Sequence, residues 1–163
     1  MRKILTSAII AAAAATVAGG AGLAAASTHT AASGTEHFQL MTTSATSPNS
    51  SIIASGLFTA PGVDHSGNKV DSVVLPGGSF KIAHSKGTGT QHFDPKTCLM
   101  TINQHGTYKL ENGTGTYAGI SGTGTYQLSI LAIGASSGGK CTQSKPPVAW
   151  HQLINASGPV SLP

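Results

Sequence analysis

The chain has 163 residues, 39% hydrophobic, 9% charged and 5% aromatic, with nine lysine and arginine residues against five aspartates and glutamates. Arg2 and Lys3 sit at the extreme N-terminus; beyond them seven scattered lysines face the five acidic residues, a net charge of +2, and no arginine remains. With no basic stripe to follow a phosphate backbone, nucleic-acid binding is excluded as an expectation.

In chain order, the first predicted element is a secretory signal peptide over residues 1–26. Arg2 and Lys3 form a short positive region, Ile4 to Ala18 an uncharged one, and Ala24-Ala25-Ala26 a small-residue cleavage site that makes Ser27 the first mature residue. The alternative, a retained membrane helix, is disfavoured because the apolar stretch is short, rich in alanine and not followed by a positive flank. The expected product is secreted and free of the membrane after cleavage. Residues 27–35 are small and polar without an apolar period, and read as a flexible lead-in; residues 36–163 read as one domain. In an oxidising compartment Cys98 and Cys141 are expected to form a disulfide, the alternative being two free buried thiols.

From Glu36 onward, runs rich in Thr, Val, Ile, Tyr and Phe alternate with Gly, Pro, Asn and Asp, which is β-sheet punctuation, and no amphipathic helix is evident. Residues two apart share a face of a strand. Phe38 and Leu40 share one face; so do Ile52, Ala54 and Phe58; Val73 and Leu75; and Phe80, Ile82 and His84. The longest pattern sets Cys98, Met100, Ile102, Gln104, Tyr108 and Leu110 against an outward Leu99 to Glu111 series, with Gly106 marking a bend or bulge. Tyr126, Leu128, Ile130 and Ala132 form another inward set. Ser136 to Pro147 reads as a surface loop, and Val148, Trp150 and Ile154 as the start of a closing pair of strands. The fold class is therefore all-β, a single antiparallel barrel of about eight strands, with a two-sheet sandwich as the competing layout.

Gly-Thr-Tyr recurs at 106–108, 115–117 and 124–126, nine residues apart. A calcium-binding nonapeptide roll needs aspartates at fixed positions, whereas Glu111 is the only acid in this stretch, so short strands joined by tight turns are the better reading. The segment from Asn112 to Gly124, NGTGTYAGISGTG, resembles the glycine-rich signature of the allene oxide cyclase barrel-like superfamily, whose relatives include dirigent-like proteins. The resemblance implies an eight-stranded antiparallel barrel with a small apolar cavity, often in a homo-oligomer. Its chemistry does not transfer, because the mature chain has no arginine and neither Glu36 nor Glu111 matches the glutamate such cyclases use.

No H-x-H or H-E-x-x-H spacing occurs among the histidines, so no metal site is expected. Asp64-His65-Ser66 brings triad residue types together in sequence only, and reads as a turn. His84, Gln104, Tyr108 and Tyr126 are polar residues on otherwise apolar faces, with Trp150 nearby in the pattern. They are the candidate lining of a pocket for a small apolar ligand, against a bland alternative in which they fill the core with bonded tips. The expected function is a secreted, non-catalytic binder of a small apolar ligand or extracellular partner, without a cofactor. An isomerase or cyclase acting in the barrel cavity and a structural surface protein stand as alternatives.

Overall fold

The computed structural model describes residues 31–142 and 144–163. The predicted signal peptide over 1–26 and the first part of the lead-in lie outside the described residues. Among the described residues are eleven strands: β1 (Ala32–Thr42), β2 (Asn49–Gly56), β3 (Ala60–His65), β4 (Val70–Leu75), β5 (Gly78–His84), β6 (Thr88–Asp94), β7 (Leu99–Glu111), β8 (Ser121–Ile133), β9 (Ala135–Ser137), β10 (Lys140–Thr142) and β11 (Ala149–Leu162). A single 3-10 turn, Gly115–Tyr117, separates β7 from β8.

Eight strands close a circuit of antiparallel pairs, β1 to β5, then β7, β8, β11 and back to β1. The β1–β11 pairing, from Ala32 opposite Leu162 to Thr42 opposite Gln152, makes the layout a barrel and excludes the sandwich. It also brings sheet structure to residues that composition reads as a lead-in. Residues 32–35, inside the segment read as a flexible lead-in, are held in the sheet by residues 159–162 of β11.

β6 is the continuation of β5 along the same edge of β7. His84 pairs with Tyr108, and the next pair is Thr88 with His105, so Ser85, Lys86 and Gly87 face only Gly106 and Thr107. This one-residue bulge is stitched by Ser85, whose N–H donates to the Thr107 carbonyl and whose Oγ accepts from the Thr107 N–H, each at 2.9 Å. A bulge was expected at Gly106. It lies on the opposing strand instead, and β7 runs unbroken in register against β8 from Leu99 to Leu110. What Gly106 provides is room: a Cβ there would lie 2.6 Å from Cε1 of Tyr126.

The Gly-Thr-Tyr triplets have two different fates. Gly106, Thr107 and Tyr108 pair with Tyr126, Thr125 and Gly124, so each tyrosine lies across the glycine of the facing triplet. An aromatic ring thereby covers a backbone that has no side chain of its own, a known remedy for glycine in a sheet. The middle triplet is the 3-10 turn, where Gly115 has φ of 60° and Tyr117 is buried with its hydroxyl donating to the Pro76 carbonyl at 3.3 Å.

The inward faces follow the alternation. Phe38, Leu40, Ile52, Ala54, Val73, Leu75, Phe80, Ile82, Tyr108 and Leu110 are buried in one core. Each large side chain of this kind contributes about 1.5–3 kcal/mol on leaving water. One end of the barrel is filled by aromatic contacts, with ring centroids 5.9 Å apart for Phe38–Phe80, 5.6 Å for Phe80–Tyr117 and 5.1 Å for Phe58–Tyr117. Phe58 belongs to the turn after β2 rather than to that strand, and reaches the core from there.

Two other expectations are corrected near the C-terminus. The segment 136–147 is not all loop: β9 and β10 form a small hairpin, because Gly138 and Gly139 both adopt positive φ, as a tight two-residue hairpin turn requires. The closing pair of strands is one continuous strand, β11, and Val148 lies before it with 72% of its surface exposed. Cys98 and Cys141 form a disulfide with Cα atoms 5.4 Å apart, tying the β9–β10 hairpin to the start of β7.

Candidate functional site

The barrel end opposite the aromatic plug is open. A cavity of about 700 Å³ occupies it, within the range of small-molecule sites, roughly 300–1,000 Å³. Its apolar wall comes from Phe38 and Leu40 on β1, Ile82 on β5, Leu128 on β8, and Ile154 and Ala156 on β11. Its polar groups are Asp71 on β4, His84 on β5, Gln104 and Tyr108 on β7 and Tyr126 on β8, while Asn68, Lys69, Ser85 and Lys86 contribute to the lining from the β3–β4 turn and the bulge. Other depressions, such as the one among His37, Gln39, Ser55 and Asn155, lie between exposed side chains of the outer face.

Four of the five residues expected to share a pocket therefore do so: His84, Gln104, Tyr108 and Tyr126. Trp150 does not. It lies opposite Ala132 on the stretch of β11 that pairs with the far end of β8, and its buried Nε1 has no partner.

The bulge sets the geometry of the mouth. It ends β5 at His84 and carries the chain over Gly87, the point on which Gln104 and Tyr126 converge. A Cβ at Gly87 would lie 2.8 Å from Gln104 Oε1 and 3.0 Å from Tyr126 Oη. Tyr126 is anchored by donating its hydroxyl to the Ser85 carbonyl at 3.0 Å, and its ring meets that of His84 edge-on with centroids 6.4 Å apart. Bulges at barrel rims commonly re-aim side chains in this way.

Behind His84 stand two carboxyl groups that sequence reasoning missed. Asp71 Oδ1 accepts the Gly67 N–H at 2.7 Å and lies 3.4 Å from His84 Nε2. Asp64, 1% exposed on the inner face of β3, accepts the Ser66 hydroxyl at 3.3 Å through Oδ2, while its Oδ1 has no partner. Burial, reinforced by the negative charge of Asp71, pushes the Asp64 carboxyl up to about 7. The signal was present: Asp64 has the same parity as Ala60 and Gly62, and Asp71 that of Val73 and Leu75. The turn vocabulary of Asp64 to Asn68 hid it, since β3 extends through Asp64 and His65 before the chain turns.

A second buried polar pair lies within the barrel. Glu36, completely buried, accepts the Phe58 N–H through Oε2 at 3.1 Å and so ties down the turn after β2, leaving Oε1 unpartnered. Burial raises its pKa despite that bond. Tyr108 lines the cavity with its ring, but its hydroxyl is buried without a partner; burial and then the charge of Glu36 push it up to about 12. At neutral pH that hydroxyl stays protonated.

The arrangement can enclose an apolar body and present acceptors to one part of it. His92 lies on exposed β6, where it pairs with Thr101. Among the described residues no three His, Cys, Asp or Glu side chains gather as a metal-binding group, and no helix is long and apolar enough to cross a membrane. Comparison of the chain with protein-family models, with curated proteins and with solved structures finds no match, so its function has to be read from the barrel itself.

Proposed function

We propose that this is an exported protein whose barrel binds a small apolar molecule without transforming it. The observation that carries this reading is the cavity of about 700 Å³, walled by Phe38, Leu40, Ile82, Leu128 and Ile154 and open at one end of an otherwise packed barrel. An apolar wall with a few fixed polar groups is what orients a small ligand. Export is supported by the signal-like residues 1–26 and by the Cys98–Cys141 bridge, since disulfides persist mainly in oxidising compartments. Kinship with the allene oxide cyclase barrel-like superfamily is part of the proposal, resting on the glycine-rich residues 112–124 and on the eight-stranded circuit.

The test is a titration with the apolar fluorophore N-phenyl-1-naphthylamine. Saturable fluorescence enhancement is expected, and Ala156→Phe, which places a ring in the cavity wall, should abolish it while the circular dichroism spectrum is retained. Enhancement that survives Ala156→Phe, or no saturable binding at all, would contradict cavity binding.

The Asp71–His84 pair favours one second reading, an isomerase or cyclase working in the same cavity. Turnover of a candidate substrate that is lost in His84→Ala, with binding retained, would establish it over simple binding.

A further inference from the structure

We propose that the molecule taken up by this cavity is an apolar body carrying one hydrogen-bond-donating head, a hydroxyl or an ammonium, directed at the corner formed by Asp71 and His84. This rests on the binding function proposed above and specifies its ligand class.

The inference follows from an inventory of donors and acceptors at the mouth. The Tyr126 hydroxyl is already donated to the Ser85 carbonyl, the Gly67 N–H to Asp71, and the Tyr108 hydroxyl is buried against Gly124, where a Cβ would lie 2.7 Å from it. Acceptors remain. With its Nε2 3.4 Å from Asp71 Oδ1, His84 in its neutral form keeps the proton on Nε2, which leaves Nδ1 as the ring's acceptor. Asp71 lines the cavity as a carboxylate, and Asp64 stands behind it, 1% exposed, with Oδ1 unpartnered. Asp71 gives this corner negative potential. Of the side chains able to serve a ligand acceptor, Gln104 is the half-buried one in the mouth, whereas Asn68, Lys69, Ser85 and Lys86 are exposed at the rim. A carboxylate or carbonyl head turned into the corner would meet like charge and lone pairs; a donor would complete it.

The experiment displaces N-phenyl-1-naphthylamine from the full protein with four probes sharing one body: naphthalene, 2-naphthol, 2-naphthylmethylammonium and 2-naphthoate. The expected result is that at least one donor probe binds roughly tenfold more tightly than naphthalene, as a hydrogen bond to a charged acceptor allows, with 2-naphthoate weaker than both donors. Whichever donor is preferred identifies the head as hydroxyl or ammonium. Asp71→Asn and His84→Ala should each shrink the donor-to-naphthalene ratio toward one, while Asp94→Asn, at the end of β6 and away from the cavity lining, should leave it unchanged. Equal affinity for all four probes, or preference for 2-naphthoate, would overturn the donor-head inference and leave cavity binding standing. Failure of every probe to displace the fluorophore would overturn the donor-head inference, and fluorophore binding that survives Ala156→Phe would overturn cavity binding with it.

Discussion

Asp64→Asn should stabilise the protein increasingly as pH rises from about 4 to about 7, and by a constant amount above that. In the fold the Asp64 carboxyl titrates near 7, whereas in the unfolded chain it returns to about 3.8, because burial and the neighbouring Asp71 both disfavour its charge. Between those values the native state holds a proton that the unfolded state has released, so stability falls as pH rises through this window. Three pKa units at 1.36 kcal/mol each give a loss of about 4 kcal/mol between pH 4 and pH 8, a large part of a small domain's stability. Asparagine keeps the shape and cannot ionise. Urea unfolding with the disulfide intact should therefore find parent and variant similar at pH 4, with the variant ahead by up to about 4 kcal/mol at pH 8. A gap that does not change with pH, or a variant weaker than the parent at pH 8, would refute the assignment of Asp64 as a buried, charge-frustrated carboxyl.

Other substitutions probe the barrel. Gly106→Ala should lower stability by about 1–3 kcal/mol in thermal or urea melts, since its Cβ would meet the Tyr126 ring at 2.6–2.7 Å. Tyr108→Phe removes a buried hydroxyl with no partner and should be neutral or stabilising by about 1 kcal/mol; a loss of more than that would mean the hydroxyl is bonded in solution. Replacing Cys98 and Cys141 together by alanine opens a closure of 43 residues and should cost about 4 kcal/mol in urea unfolding, the chain-entropy value for that length.

The parts of this protein legible in its sequence are those governed by alternation within one strand. Phe80, Ile82 and His84 share a face because successive β residues point to opposite sides, and a buried face makes that pattern apolar. The same logic places Gln104 and Tyr108 inward on β7 and Tyr126 and Leu128 inward on β8, and these residues line one cavity with His84. What alternation cannot supply is register between strands. Asp64 on β3, Asp71 on β4 and His84 on β5 meet only because Asp64 pairs with Val73 and Asp71 with Ile82 across two successive hairpins. Asp64 was further disguised by standing next to turn residues. Trp150 illustrates the opposite error: its parity on β11 is right, but a strand of 14 residues outruns the cavity, and Trp150 sits beyond its edge. The one-residue bulge at Ser85 to Gly87 leaves no mark in composition, although the paired glycines and tyrosines beside it do.

Ligand occupancy of the barrel is tested most directly by methyl-labelled NMR of the protein with saturating N-phenyl-1-naphthylamine. Intermolecular contacts should appear at the methyl groups of Leu40, Ile82, Leu128 and Ile154, which face the cavity. Contacts confined to Leu131 and Ile133, exposed on the outer face of β8, would place the molecule outside the barrel and contradict the proposed function.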